Sequence, residues 1–116
     1  MVNKPTNQKP NRLILMKRYA FAAINLYGVI KLEDFISVFN HYEKEFLSKE
    51  EAIPVLELLS SIDEIGLSIK QGILANGYFY LNDSKAIRVA KDLLLAQLNK
   101  PRYLPSKEEF LKYEDV

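Results

Sequence analysis

The sequence has no cysteine, a single histidine and only four glycines. Without cysteine there is no disulfide and no thiol chemistry, which fits the cytoplasmic location we expect. No apolar run reaches the roughly 20 residues of a membrane helix, so no membrane partner is expected. The N-terminus is basic, but no apolar stretch with a small-residue cleavage site follows it, so no secretory signal is expected. His41 has no cysteine or second histidine with which to share a metal, and reads as a structural residue. The glycines form no phosphate loop. Ser37, Ser48, Ser60, Ser61, Ser68, Ser84 and Ser106 lack the glycines of a nucleophile elbow. The carboxylates come as neighbours (Glu33-Asp34, Glu50-Glu51, Asp63-Glu64, Glu108-Glu109, Glu114-Asp115). Adjacent helical residues point about 100° apart and do not converge on one substrate. The expectation is a protein with no catalytic residue, no cofactor and no metal.

What is present is charge in blocks. The 116 residues, 48% hydrophobic and 27% charged, suit one soluble domain with one core. The net charge of +1 hides four segments. Residues 1–31 hold six bases and no acid, and residues 32–66 hold two bases and nine acids. Residues 67–105 hold six bases and two acids, and residues 106–116 hold two bases and four acids. Such asymmetry marks either separate surfaces for partners or solvated helix faces.

Along the chain, residues 1–10 carry two prolines and little that is apolar, and read as a flexible basic arm. A single domain is expected over 11–116. Asn11 caps a first helix over 12–27, with Leu13, Met16, Ala20, Ala23, Ile24 and Tyr27 at helical spacing. Gly28 ends it in a left-handed position, ahead of a very short strand at Val29-Ile30. A second helix over 32–41 has one face of Leu32, Phe35, Ile36 and Phe39, with Glu33 and Asp34 in its first turn. Ser48-Lys49-Glu50-Glu51 is a capping box that opens a third helix to about Ser61, buried through Val55, Leu56, Leu58 and Leu59. Pro54 predicts a kink or restart there.

The β region spans Leu67 to Leu81. A turn at Asn76-Gly77 would join 68–75 to 78–82, and is preferred on turn chemistry. A turn at Gln71-Gly72 would join 67–70 to 73–76 and make a smaller hairpin. Asp83 caps a fourth helix to about Asn99, with Ala86, Ile87, Ala90, Leu93, Leu94 and Gln97 inward. Ser106-Lys107-Glu108-Glu109 opens a short last helix whose Phe110 and Leu111 dock on the core. The fold class is therefore mainly α with a small β-hairpin: winged helix-turn-helix-like, with additional C-terminal helices.

In that arrangement the third helix would read DNA. It offers Lys49 against Glu50, Glu51 and Glu57, the wrong sign for phosphates. The candidate nucleic-acid contacts lie elsewhere: Arg12, Lys17, Arg18, Lys70 and Arg88. The candidate protein interface is Glu50, Glu51 and Glu57 with the hairpin tyrosines Tyr78 and Tyr80.

Three stretches carry a resemblance: Tyr27-Gly28-Val29-Ile30, Asn76-Gly77-Tyr78, and the tail Pro101-Arg102-Tyr103-Leu104-Pro105-Ser106-Lys107-Glu108-Glu109-Phe110-Leu111-Lys112-Tyr113. The chain resembles a group of uncharacterised small winged-helix-like proteins from Gram-positive bacteria and their mobile elements. Some longer members continue past the tail into a further domain. The resemblance implies no activity and supplies no catalytic residue. Three readings stay open: a module that binds a protein partner or a second copy of itself; a DNA-binding regulator using the basic arm, first helix and wing; and a phage-type inhibitor, such as an anti-CRISPR protein, whose acidic segment mimics nucleic acid.

Overall fold

The computed structural model describes residues 4–62, 67–76, 84–98 and 102–115. The order is α1 (Lys4–Tyr27), β1 (Val29–Lys31), α2 (Leu32–Tyr42), α3 (Lys49–Ile62), β2 (Leu67–Lys70), β3 (Ile73–Asn76), α4 (Ser84–Gln97) and α5 (Lys107–Lys112), closed by a 3-10 turn at Tyr113–Asp115. The protein is thus mainly helical with one small antiparallel sheet of order β1-β3-β2.

Helix α1 is the spine. Met16, Tyr19, Ala20, Ala23 and Ile24 lie buried along it, and the alanines let neighbouring elements approach closely. It begins at Lys4, two turns before the expected start, so the segment read as an arm enters the helix and Asn11 is not its cap. Pro5 sits in the first turn, where its missing N–H has no intrahelical partner to lose. Gly28 stops the helix at φ 84°, its N–H bonded to the Ile24 carbonyl at 3.0 Å. That is the left-handed position read from the sequence.

Helix α2 buries Leu32, Phe35, Val38 and Phe39; Ile36 is only partly covered. The loop that follows is fastened by Asn40. Its amide accepts from the Leu47 N–H at 2.8 Å and donates to the Leu47 carbonyl at 3.2 Å. This pins Leu47 in the core. Ser48 then caps α3, its hydroxyl accepting from the Glu51 N–H at 3.2 Å. Helix α3 runs through Pro54 as one helix, so of the kink or restart expected there the restart does not occur. Proline forgoes one bond, to the Glu50 carbonyl, and the packing of Ala52 and Leu56 on either side holds the helix together. Leu58, expected inside, is 50% exposed.

The hairpin turns at Gln71-Gly72, not at Asn76-Gly77. Gln71 and Gly72 take φ 52° and 74°, the two positive values of a tight I′-like turn. Lys70 pairs with Ile73 and Leu67 with Asn76. The favoured turn chemistry lost to tertiary bonds. β3 is the central strand, paired on its other side with β1 from Val29–Ala75 to Lys31–Ile73. The Gly72 carbonyl also accepts from the Leu32 N–H at 2.8 Å, tying the turn to the start of α2. Strand 78–82 and the Asp83 cap lie outside the described residues.

Side-chain alternation splits the sheet. Ile30, Leu67 and Leu74 face the main core with α1, α2 and α3, whereas Val29, Ile73 and Ala75 form a second small cluster with Ala90 of α4. Ser106 caps α5 and accepts from the Glu109 N–H at 3.3 Å, as the capping box predicts. Phe110 and Leu111 are buried on the main core.

Candidate functional site

Three of the candidate residues, Arg12, Arg18 and Glu51, are held by partners within the chain. Arg12 Nε donates to Glu51 Oε2 at 2.6 Å, and Nη2 donates to Glu51 Oε1 at 3.1 Å and to the Phe46 carbonyl at 2.6 Å. Its guanidinium lies 5.4 Å from the Phe39 ring centre, and Glu45 stands 3.6 Å away. The bond to Glu51 raises the Arg12 pKa, against the lowering effect of burial. A bidentate, partly buried pair of this kind is worth about 1–3 kcal/mol. One candidate nucleic-acid contact and one candidate interface acid therefore form a single internal clamp between α1 and α3. Arg18 is likewise bound, to Glu114 at 2.7 Å.

The same holds for the other charge blocks. Lys49 meets Glu33 at 3.4 Å and Arg102 meets Asp34 at 3.2 Å. Glu43 accepts from the Tyr19 hydroxyl at 2.6 Å and pairs with Lys107 at 2.7 Å. Burial alone would push the Glu43 carboxyl up, but the donors Lys107 and Tyr19 and the charges of Lys107 and Arg12 hold it below the usual range. Tyr19 moves the other way: burial first, then its bond to Glu43, raises its pKa. Burial pushes the Tyr27 hydroxyl up to about 12. The sequence reading missed this network, because its members are 16 to 96 residues apart and share no local motif.

Glu50, Glu57, Lys17, Lys70 and Arg88 remain exposed. Glu57 and Lys70 come together: with Glu33, Lys49, Ile53 and Ile69 they line a groove of about 260 Å³ between α3 and the β2–β3 turn. Lys17 lies on α1 and Arg88 on α4, in neither that groove nor the Arg12 clamp. Tyr78 and Tyr80 lie outside the described residues. His41 is exposed in the last turn of α2, edge-on to Tyr42 at 4.7 Å. Among the described residues no three His, Cys, Asp or Glu side chains gather as a metal site would require. No described helix is long and apolar enough to cross a membrane.

The surface the sequence reading did not single out is on α4. Ala90 is its buried residue, with Ile87 and Leu94 partly covered. Val89 is 49% exposed, Leu93 38%, and Leu95 and Leu98 67% each. Leu93, expected inward, is therefore on the outer side. Leu94, Leu95 and Leu98 with Lys91, Gly72 and Ile73 border a groove of about 490 Å³ on the far side of the same hairpin turn. A signal for this was present: three consecutive leucines span about 200° of a helix and cannot all meet one sheet. Comparison with known proteins gives no match: no protein-family model matches the chain, and no curated protein or solved structure does.

Proposed function

We propose that this chain is a non-enzymatic, winged-helix-like module that works by binding protein, with α4 and the β2–β3 hairpin as its contact surface. It acts in the cytoplasm on this reading. The observation that carries it is the group of exposed apolar residues on α4 and its end, Val89, Leu93, Leu95 and Leu98, compared with Leu13 and Ile14 on α1 and Leu58 on α3 among the described residues. Leucines in a row beside a groove exclude water profitably only when a partner covers them. The element order and the sheet order β1-β3-β2 support the winged-helix comparison, with β2–β3 as the wing.

DNA reading is the weaker alternative on these residues. Arg12 and Arg18 are held by Glu51 and Glu114, and the exposed face of α3 presents Glu50 and Glu57. Bringing those carboxylates to a phosphate backbone subtracts from affinity. The test is a titration with duplex DNA from low to physiological salt. No salt-dependent binding is expected, and Lys17→Glu with Lys70→Glu should change nothing. A steep inverse salt dependence that these substitutions abolish would overturn the reading in favour of a DNA-binding regulator.

A further inference from the structure

We propose that the partner of the α4 surface is a second copy of this chain, in a two-fold dimer that sets α4 of one protomer against α3 of the other. This rests on the protein-binding reading above and names its partner. Arg88, Lys91, Leu95 and Leu98 stand at i, i+3, i+7 and i+10, one narrow exposed stripe of α4. On α3, Glu50, Pro54, Glu57 and Ser61 stand at i, i+4, i+7 and i+11, with Leu58 beside them, all exposed. One stripe ends in two bases and two leucines; the other carries two acids and a leucine.

The charges select the pairing. Arg88, Lys91, Glu50 and Glu57 form no ion pair with a described residue, unlike Arg12, Arg18, Lys49 and Arg102. Setting α4 against its own copy offers Arg88 and Lys91 one acid, Asp92, beside the facing stripe. Setting it against α3 brings Glu50 and Glu57 to them and Leu58 to the leucines. Both stripes flank the Gln71-Gly72 turn, whose residues line the grooves on its two sides. A two-fold axis near that turn makes the contact twice, so the patch is its own complement.

The exposed parts of Leu95 and Leu98, the two leucines on that stripe, amount to on the order of 250 Å² of apolar surface; Val89 and Leu93 lie on the other flank of α4 and are left out. A standard interface needs about 800 Å² per partner. The leucines supply about a third, and the remainder falls to Arg88, Lys91, the α3 stripe and the two grooves.

Sedimentation equilibrium from micromolar to millimolar protein tests this. The wild type is expected to approach twice the protomer mass. Leu95→Ser with Leu98→Ser should stay monomeric, with unchanged far-ultraviolet circular dichroism because both leucines are exposed. Arg88→Glu with Lys91→Glu, and separately Glu50→Lys with Glu57→Lys, should each weaken association at least tenfold. Mixing these two charge-reversed proteins should restore it, because each then meets its opposite in both contacts. A monomeric wild type overturns the dimer, and so does association that mixing fails to restore. A photo-crosslinker at position 95 then separates the two readings in a cell lysate. If the wild type is monomeric, adducts to another protein leave the protein-binding reading standing without the second copy; no adducts remove both.

Discussion

Helices α4 and α5 both lie in the C-terminal third of the chain, and they are used in opposite ways. α5 has six residues, far fewer than the roughly 12–15 at which an isolated helix becomes even marginal. It is nonetheless locked in place. Phe110 is fully buried and stacks 5.8 Å from Tyr19, with Tyr42 tilted at 5.1 Å and Tyr27 at 6.2 Å. The backbone around α5 is held as well. Tyr42 donates to the Pro105 carbonyl at 2.6 Å, Asn25 to the Tyr113 carbonyl at 2.7 Å, and Tyr27 to the Tyr103 carbonyl. α4 has fourteen residues and three consecutive leucines, yet it buries one alanine. Length and apolar content therefore do not decide burial. A short segment becomes core when a large ring finds a shaped hole and its carbonyls find donors; a long one stays a surface when the sheet beneath it is three strands wide.

That contrast can be broken at its strong end first. Phe110→Ala empties the aromatic cluster and should cost about 3–5 kcal/mol by urea unfolding. A loss under about 1 kcal/mol would mean that the tail is an appendage and not part of the core.

The next effect is smaller and depends on pH. The Glu43 carboxyl, which ties α2 to the start of α5 through Lys107, is held low in the folded protein. A depressed carboxyl stabilises above its unfolded pKa of about 4.3, and that share is lost as pH falls through the lower folded value. Stability of the wild type should drop by about 1 kcal/mol more than that of Glu43→Gln on acidification from neutral pH. Tyr19 has the opposite sign. Its raised pKa contributes stability below about pH 10 that is lost as the pH climbs toward the folded value, so Tyr19→Phe should flatten the alkaline limb. Parallel acid limbs would show that Glu43 does not clamp the tail, and parallel alkaline limbs that burial does not hold the Tyr19 hydroxyl protonated.

The smallest effect belongs to α4. Leu95→Ser with Leu98→Ser should change the stability of the isolated protomer by no more than about 0.5 kcal/mol, since both side chains already face water. Thermal melts of dilute protein would detect a larger loss. Such a loss would place the two leucines in the core and erase the difference between the helices.

How much of this was legible beforehand follows the range of each interaction. Both capping boxes were readable, because a Ser48 or Ser106 hydroxyl reaches an N–H only three residues on. So was Gly28, whose positive φ is a local need. The face of α2 was nearly right, and the docking of Phe110 and Leu111 was right. The hairpin turn was misread. Asn76-Gly77 has the better local chemistry, but the choice belonged to β1 and to the Leu32 N–H, forty or more residues away. The charge blocks read either as surfaces for partners or as solvated helix faces; Arg12 and Glu51, 39 positions apart, and Arg18 and Glu114, 96 apart, instead close on each other.

The amino-acid sequence by itself determined where most helices begin and end, that Gly28 stops the first of them, and that Phe35, Phe39 and Phe110 enter a core. Those outcomes depend on periodicity, caps and turn preferences that act over about four residues. Only the tertiary structure decided which of two turns closes the hairpin, which acid meets which base, and which flank of α4 is left bare. Each of those depends on the path of the whole chain, because a hydrogen bond or ion pair acts through contact distance and takes no account of separation along the sequence.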